Sequence, residues 1–104
     1  MTILSVSHWT RRDAADRAML GQVTFDVCKA LRASGAVDDA RFYWAAPDTV
    51  VLQVSADSAE PLMNPPSADA ARHLFALADL AHRDNFEQWI DPRTGMENYE
   101  LAGR

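Results

Sequence analysis

The 104-residue chain has one cysteine, one lysine and only four glycines. A lone thiol, Cys28, excludes an internal disulfide framework and any zinc site built from cysteines. So few glycines leave no Gly-rich phosphate loop, and with it goes nucleotide binding of that kind. No apolar run approaches the roughly 20 residues of a membrane span. The opening Met1-Thr2-Ile3-Leu4 lacks the basic start and long apolar stretch of a secretory leader. Basic blocks are missing too. Ten Lys+Arg against 15 Asp+Glu give a formal net charge of −5 and a pI near 4.9, so neither nucleic acid nor an anionic membrane is expected as a partner. His-x-x-x-His, His-x-His and G-x-S-x-G patterns are absent, which argues against a dedicated metal site and a serine-hydrolase elbow. The expectation is a soluble, cytoplasmic, single domain over residues 1–104, large enough for one modest core. Arginine and alanine are over-used, as GC-rich coding favours, which points to a bacterial source.

What is present is clear periodicity. Residues 3–9 are short and rich in β-branched and aromatic side chains, so they read as a strand. Ile3, Ser5, Ser7 and Trp9 share one face of it, and Leu4, Val6 and His8 the other. Thr10 and Asp13 read as a helix cap, opening a helix over about 11–34. Ala15, Met19, Val23, Val27 and Leu31 recur along it every four residues. Gly35 suits its left-handed stop. Residues 40–57 predict a hairpin around Pro47-Asp48, with apolar groups on both faces of both strands. Residues 57–66 hold three prolines and read as a connection of the length that lids and binding segments often have. Ser67 caps a second helix whose spacing runs through Leu77 and Ala81 and on towards Ile90, with a polar break at Arg83-Asp84-Asn85. Residues 91–95 read as a turn, and 96–101 alternate like a final edge strand.

Strand, helix, strand, strand, helix, strand is the ferredoxin-like βαββαβ order: an α+β fold with two helices on one face of a four-stranded antiparallel sheet. The apolar second face of the hairpin implies a homodimer in which two sheets meet, through one self-complementary patch. Element order, length, the Trp-ending first strand and the segment Phe86-Glu87-Gln88-Trp89 resemble the dimeric α+β barrel superfamily. That group includes the antibiotic-biosynthesis monooxygenase-like and stress-responsive barrel proteins. The resemblance implies a ligand cavity between helices and sheet, a dimer and, for several members, oxidation of aromatic compounds without metal or flavin. It supplies no catalytic motif to transfer.

Candidate chemistry rests on a few side chains. His8, at the end of the first strand, has the pKa range of a proton acceptor for a phenolic or enolic ligand; its ordinary role would be a half-exposed hydrogen-bond partner. On a continuous second helix His82 would share a face with Phe75, Phe86 and Trp89, an aromatic wall with one titratable group; equally, it would be a core stripe with His82 at its rim. His73 lies half a turn from His82 on that helix, so the two cannot chelate one metal. Tyr43 and Trp44 point to opposite faces of the hairpin, one towards a helix-side cavity and one towards the dimer interface. Cys28 reads as buried and inert. Three readings follow. The first is a cofactor-independent monooxygenase-like enzyme for a planar aromatic or polyketide-like compound. In it His8 or His82 is the catalytic base, and Trp9, Tyr43, Trp44, Phe86 and Trp89 bind the ligand; no cofactor or metal is called for. The second is a non-catalytic dimeric module binding a small apolar or aromatic ligand or a protein. The third is haem binding through His82 or His8.

Overall fold

Alternation along β1 (Ile3–Arg11) sets the frame, because Ile3, Ser5, Ser7 and Trp9 are buried on one face while the even-numbered side chains turn to the opposite face. The computed structural model describes residues 2–102, with side chains through Glu97. After β1 come α1 (Arg17–Ala33), β2 (Asp39–Ala46), β3 (Thr49–Ala56), α2 (Glu60–Met63), α3 (Ala68–Leu80), β4 (Ala81–Ile90) and α4 (Pro92–Ala102). The strands form one antiparallel sheet in the order β2-β3-β1-β4. This is the expected ferredoxin-like α+β architecture. No helix among the described residues is long and apolar enough to cross a membrane.

One face of the sheet is covered by helices. Leu20, Val27, Cys28 and Leu31 of α1, with Ala70 and Leu77 of α3, pack on Trp9, Val50, Leu52 and Val54. Each large aliphatic buried there contributes roughly 1.5–3 kcal/mol. Local chemistry holds the ends in place. Ser67 caps α3 by accepting from the Ala70 N–H at 3.0 Å, and Gly35 closes α1 at φ +73°. Pro47 and Asp48 form the β2–β3 turn, where the Asp48 carboxylate takes Arg11 Nε at 3.0 Å and Arg17 Nη2 at 3.3 Å. Those two guanidiniums hold the Asp48 carboxyl below its usual range. The other face of the sheet carries Leu4, Val6, His8, Val51, Tyr43 and Trp89; Val6 is buried there, while Tyr43 and Trp89 are about half exposed among the described residues (51% and 53%).

Three boundaries differ from the sequence reading. First, α1 begins at Arg17 with Asp16 as its cap, the carboxylate accepting from the Ala18 N–H at 3.0 Å. Thr10 and Arg11 remain in β1 because both of its edges are occupied there, Thr10 opposite Thr49 and His82 and Arg11 opposite Ala81. Second, the second helix ends at Leu80, and residues 81–90 are β4 rather than its continuation. Phe86 and Trp89 fit helical spacing, but β1 would otherwise keep an unpaired edge, and sheet pairing overrides local periodicity. His82, Phe86 and Trp89 therefore do not share a helix face with Phe75. Third, 96–101 is helix, not a final strand. Asp91 starts α4: its Oδ1 accepts from the Thr94 N–H at 3.0 Å and its Oδ2 from the Thr2 N–H at 3.0 Å. These donors bring its carboxyl down to about 2. Pro92 follows at the first helical position, where no N–H is missed.

Candidate functional site

The helix-side face of the sheet alternates large and small residues, and the small ones leave room. Ser5 and Ser7 sit at the middle of β1, paired with Val54 and Leu52 on one side and Gln88 and Phe86 on the other. Two serines where a core would place valine or leucine leave a cleft of about 220 Å³ above them. Leu52 and Val54 extend its floor, and Leu31 and Leu74 come down from α1 and α3. Residues 61–65, with the one-turn helix α2, form its rim. The Gln88 amide donates to Met63 Sδ at 3.0 Å and ties that rim to β4.

The polar groups facing this space are few. Trp9 Nε1–H donates to Ser7 Oγ at 2.9 Å, which fixes the indole as one wall and leaves the Ser7 hydroxyl hydrogen free to donate. Ser5 and Ser7 are themselves buried, at 6% and 5% exposure. At the mouth the Arg83 guanidinium lies 4.8 Å from the centroid of the Phe86 ring, a cation–π contact. Arg83 is the one charged residue among those lining the cleft, and no carboxylate, histidine or cysteine joins it. Such a lining can orient a flat apolar molecule, donate hydrogen bonds to its oxygens and offset negative charge. It contains no general base.

Of the side chains singled out from the sequence, Trp9 and Phe86 meet in this cleft. Trp44 faces the same side but stands off it, beside Gly21; a Cβ there would come within 3.1 Å of Trp44 Cζ2. His8, Tyr43 and Trp89 are on the opposite face of the sheet. There Glu87 accepts from Trp89 Nε1–H at 2.8 Å and from the Asn85 amide at 2.9 Å. These bonds, with His8 nearby, hold the Glu87 carboxyl below its usual range. The buried Nδ1 of His8 has no hydrogen-bond partner among the described residues. His82 is exposed at the start of β4, its Nε2 3.1 Å from Arg12 Nη1. The cleft lining holds neither of the two imidazoles through which a haem would be bound. Among the described residues no group of three or more His, Cys, Asp or Glu side chains is arranged to hold a metal ion. Cys28 is buried, which pushes its thiol up to about 11.

Sequence reasoning missed Ser5, Ser7 and Arg83. The serines had a visible signal, two small hydroxyl residues between Ile3 and Trp9 on a core-facing stripe. Arg83 has none, because the spacing of its segment suits a helix.

The strand order and the helices on one face of the sheet give the ferredoxin-like fold, which solved structures described as cofactor-independent oxygenases and candidate antibiotic biosynthesis monooxygenases share. SnoaB, a cofactor-independent oxygenase from Streptomyces nogalater, superposes with a TM-score of 0.71 at 10% identity, over 86% of this chain and 91% of its own. A candidate antibiotic biosynthesis monooxygenase from Nitrosomonas europaea gives 0.70 at 10% identity, over 88% and 92%. A dimeric protein of unknown function and ferredoxin-like fold from Bacteroides fragilis gives 0.69 at 10% identity, over 85% and 94%. No protein-family model matches the chain, and no curated protein matches its sequence.

Proposed function

We propose that the cleft binds a planar aromatic or polyketide-like molecule and that the protein oxygenates it without a cofactor. One observation carries this reading: an apolar slot walled by Trp9 and Phe86, floored by two serine hydroxyls and closed by the 61–65 rim. The same fold in SnoaB, a cofactor-independent oxygenase, supports it. The substrate supplies the electrons. An activated ring CH2, once ionised, reacts with O2; one oxygen atom becomes C=O and the other leaves as water, so four electrons pass from carbon to oxygen. The chain's share is to hold the rings flat, donate hydrogen bonds from Ser5 and Ser7 to ring oxygens, and exclude water. His8 and His82 lie outside the cleft, so neither is given the role of base here. The proton goes to solvent at the open mouth.

A second reading, a non-catalytic binding protein, is favoured by the absence of a base among the lining residues. Dithranol, a planar tricyclic phenol with an activated methylene, separates the two. Oxygenation predicts protein-dependent O2 uptake and carbonyl formation, lost in Ser7→Leu, which fills the floor. A shift of the Trp9 indole N–H signal in NMR without O2 uptake favours the binding protein. No shift at all refutes both.

In the same reading the protein works as a homodimer, paired through the sheet face that shows Tyr43 and Trp89. The dimeric Bacteroides fragilis protein of like fold supports this pairing. Light scattering should give twice the chain mass for the wild type and the single mass for Trp89→Glu; a monomeric wild type overturns it.

A further inference from the structure

The rim of the cleft is tied down by very little. Residues 57–66 carry the one-turn helix α2, which buries no residue and has no side-chain cap. Its backbone bonds stay within the segment, from the Leu62 and Met63 N–H groups to the Ala59 carbonyl and from the Asn64 N–H to the Glu60 carbonyl. The Asn64 amide likewise turns back to Glu60 Oε1 at 3.1 Å. Leu62 packs against the core and is only half-buried. Among the described residues, the one hydrogen bond that joins 57–66 to the rest of the chain runs from the Gln88 amide to Met63 Sδ at 3.0 Å. Gln88 stands opposite Ser5 in the β1–β4 pairing, and Met63 lines the cleft. The bond therefore links the rim to the strand that carries Phe86. A thioether is a weak acceptor, and Met63 is 60% exposed, so this latch is both weak and open to reagents.

From this juxtaposition we propose that Met63 is an oxidation site whose sulfoxide locks the rim, so that peroxide slows the passage of ligand into and out of the cleft. The proposal rests on the cleft being the binding site argued above and adds a regulation of it. In the step, a lone pair of Met63 Sδ attacks one oxygen of hydrogen peroxide. The S–O bond forms, the O–O bond breaks, and the leaving hydroxide takes the proton of the transferred oxygen and departs as water. Sulfur gives up two electrons and peroxide takes them. O2 that leaves the cleft with two electrons and two protons, instead of four of each, is hydrogen peroxide, so the oxidant is a by-product of the same oxygenation. A sulfoxide oxygen accepts the Gln88 N–H more strongly than the thioether does, and the rim is then held by a full hydrogen bond. Ligand passes between the rim and β4 when this bond is broken, so a stronger bond lowers the entry and exit rates together. Met19 and Met96 are similarly exposed, at 53% and 65%, but neither lines the cleft. Their oxidation leaves the rim as it was.

The test titrates 2-naphthol, a flat neutral probe, into the full chain and follows the Trp9 indole N–H signal in NMR, with association and dissociation rates taken from the line shapes. Peroxide treatment should place an oxygen on Met63, located by peptide mass spectrometry. It should lower both rates about fivefold, the scale of one neutral hydrogen bond, with Kd unchanged. Methionine sulfoxide reductase should restore them. In Met63→Leu the rates before and after peroxide should be equal, although Met19 and Met96 still take up oxygen. In Gln88→Leu, Met63 should be oxidised without slower exchange. Unchanged or faster exchange after oxidation of Met63 overturns the proposal. So does a slowing that persists in Met63→Leu or in Gln88→Leu, or a Met63 that peroxide leaves intact. In each of those cases 2-naphthol still moves the Trp9 signal, and the binding site stands. If 2-naphthol does not move that signal in the untreated protein, the reading of the cleft fails and this proposal falls with it.

Discussion

Two leucines on α3, one turn apart, give a direct test of whether the cleft is open space in solution. Leu77 has no exposed surface and belongs to the core between helix and sheet. Leu74 is half-buried and lines the cleft. The substitution to alanine removes the same three carbons at both positions, but the consequences differ. At Leu77 the loss of transfer free energy is joined by the cost of a new cavity in packed surroundings, about 3–4 kcal/mol in all. At Leu74 the neighbouring space already exists, so only the partial burial of the side chain is lost, about 1 kcal/mol. With roughly 4–8 °C of melting temperature per kcal/mol for a domain of this size, Leu77→Ala should lower Tm by about 12–30 °C and Leu74→Ala by about 4–8 °C. Urea denaturation followed by far-UV circular dichroism gives the free energies directly, since the slope reports whether both variants unfold as the wild type does. Leu74→Ala should also accept a bulkier aromatic probe than the wild type. Equal costs at the two positions refute the reasoning, because they mean that Leu74 is packed as tightly as Leu77 and the cleft is closed.

Other perturbations probe the frame around the site. The Asp91 carboxyl is held at about 2, below its ordinary 3.8, by the Thr94 and Thr2 N–H groups. Its contribution is therefore present above about pH 4 and lost as the pH falls through 2; melting curves of wild type and Asp91→Asn between pH 5 and 2 should converge at the acid end. Divergence on acidification contradicts the assignment. Gly35 has φ +73° with open space where a Cβ would stand, so Gly35→Ala should cost about 1 kcal/mol from backbone strain alone and Gly35→Asn less, by chemical denaturation. Burial raises the Cys28 thiol to about 11. Iodoacetamide at mild alkaline pH should leave it unmodified in the native protein and alkylate it in urea, and rapid native labelling argues against the packing of α1 described above.

Much of the frame was legible in the sequence. Element order pointed to the ferredoxin-like fold, because period-two and period-3.6 patterns in β1, α1 and the hairpin are set by side chains within each segment, although the last strand is 81–90 and not 96–101. The caps at Ser67 and Gly35 and the Pro47-Asp48 turn were legible for the same reason, since each depends on backbone chemistry a few residues wide. The serines of the cleft floor were already placed on the Trp9 face of β1, although nothing local marked them as the lining of a space. What tertiary structure alone decided is the fate of residues 81–90. Their spacing suits a helix, but β1 has a second edge to pair, and satisfying that row of N–H and C=O groups makes the segment a strand. That choice separates Phe86 from Trp89, sends one to the cleft and the other to the open face, and brings Arg83 to the mouth. Periodicity is local and so can be read from the chain; the demand of an unpaired strand edge comes from a partner some 80 residues away.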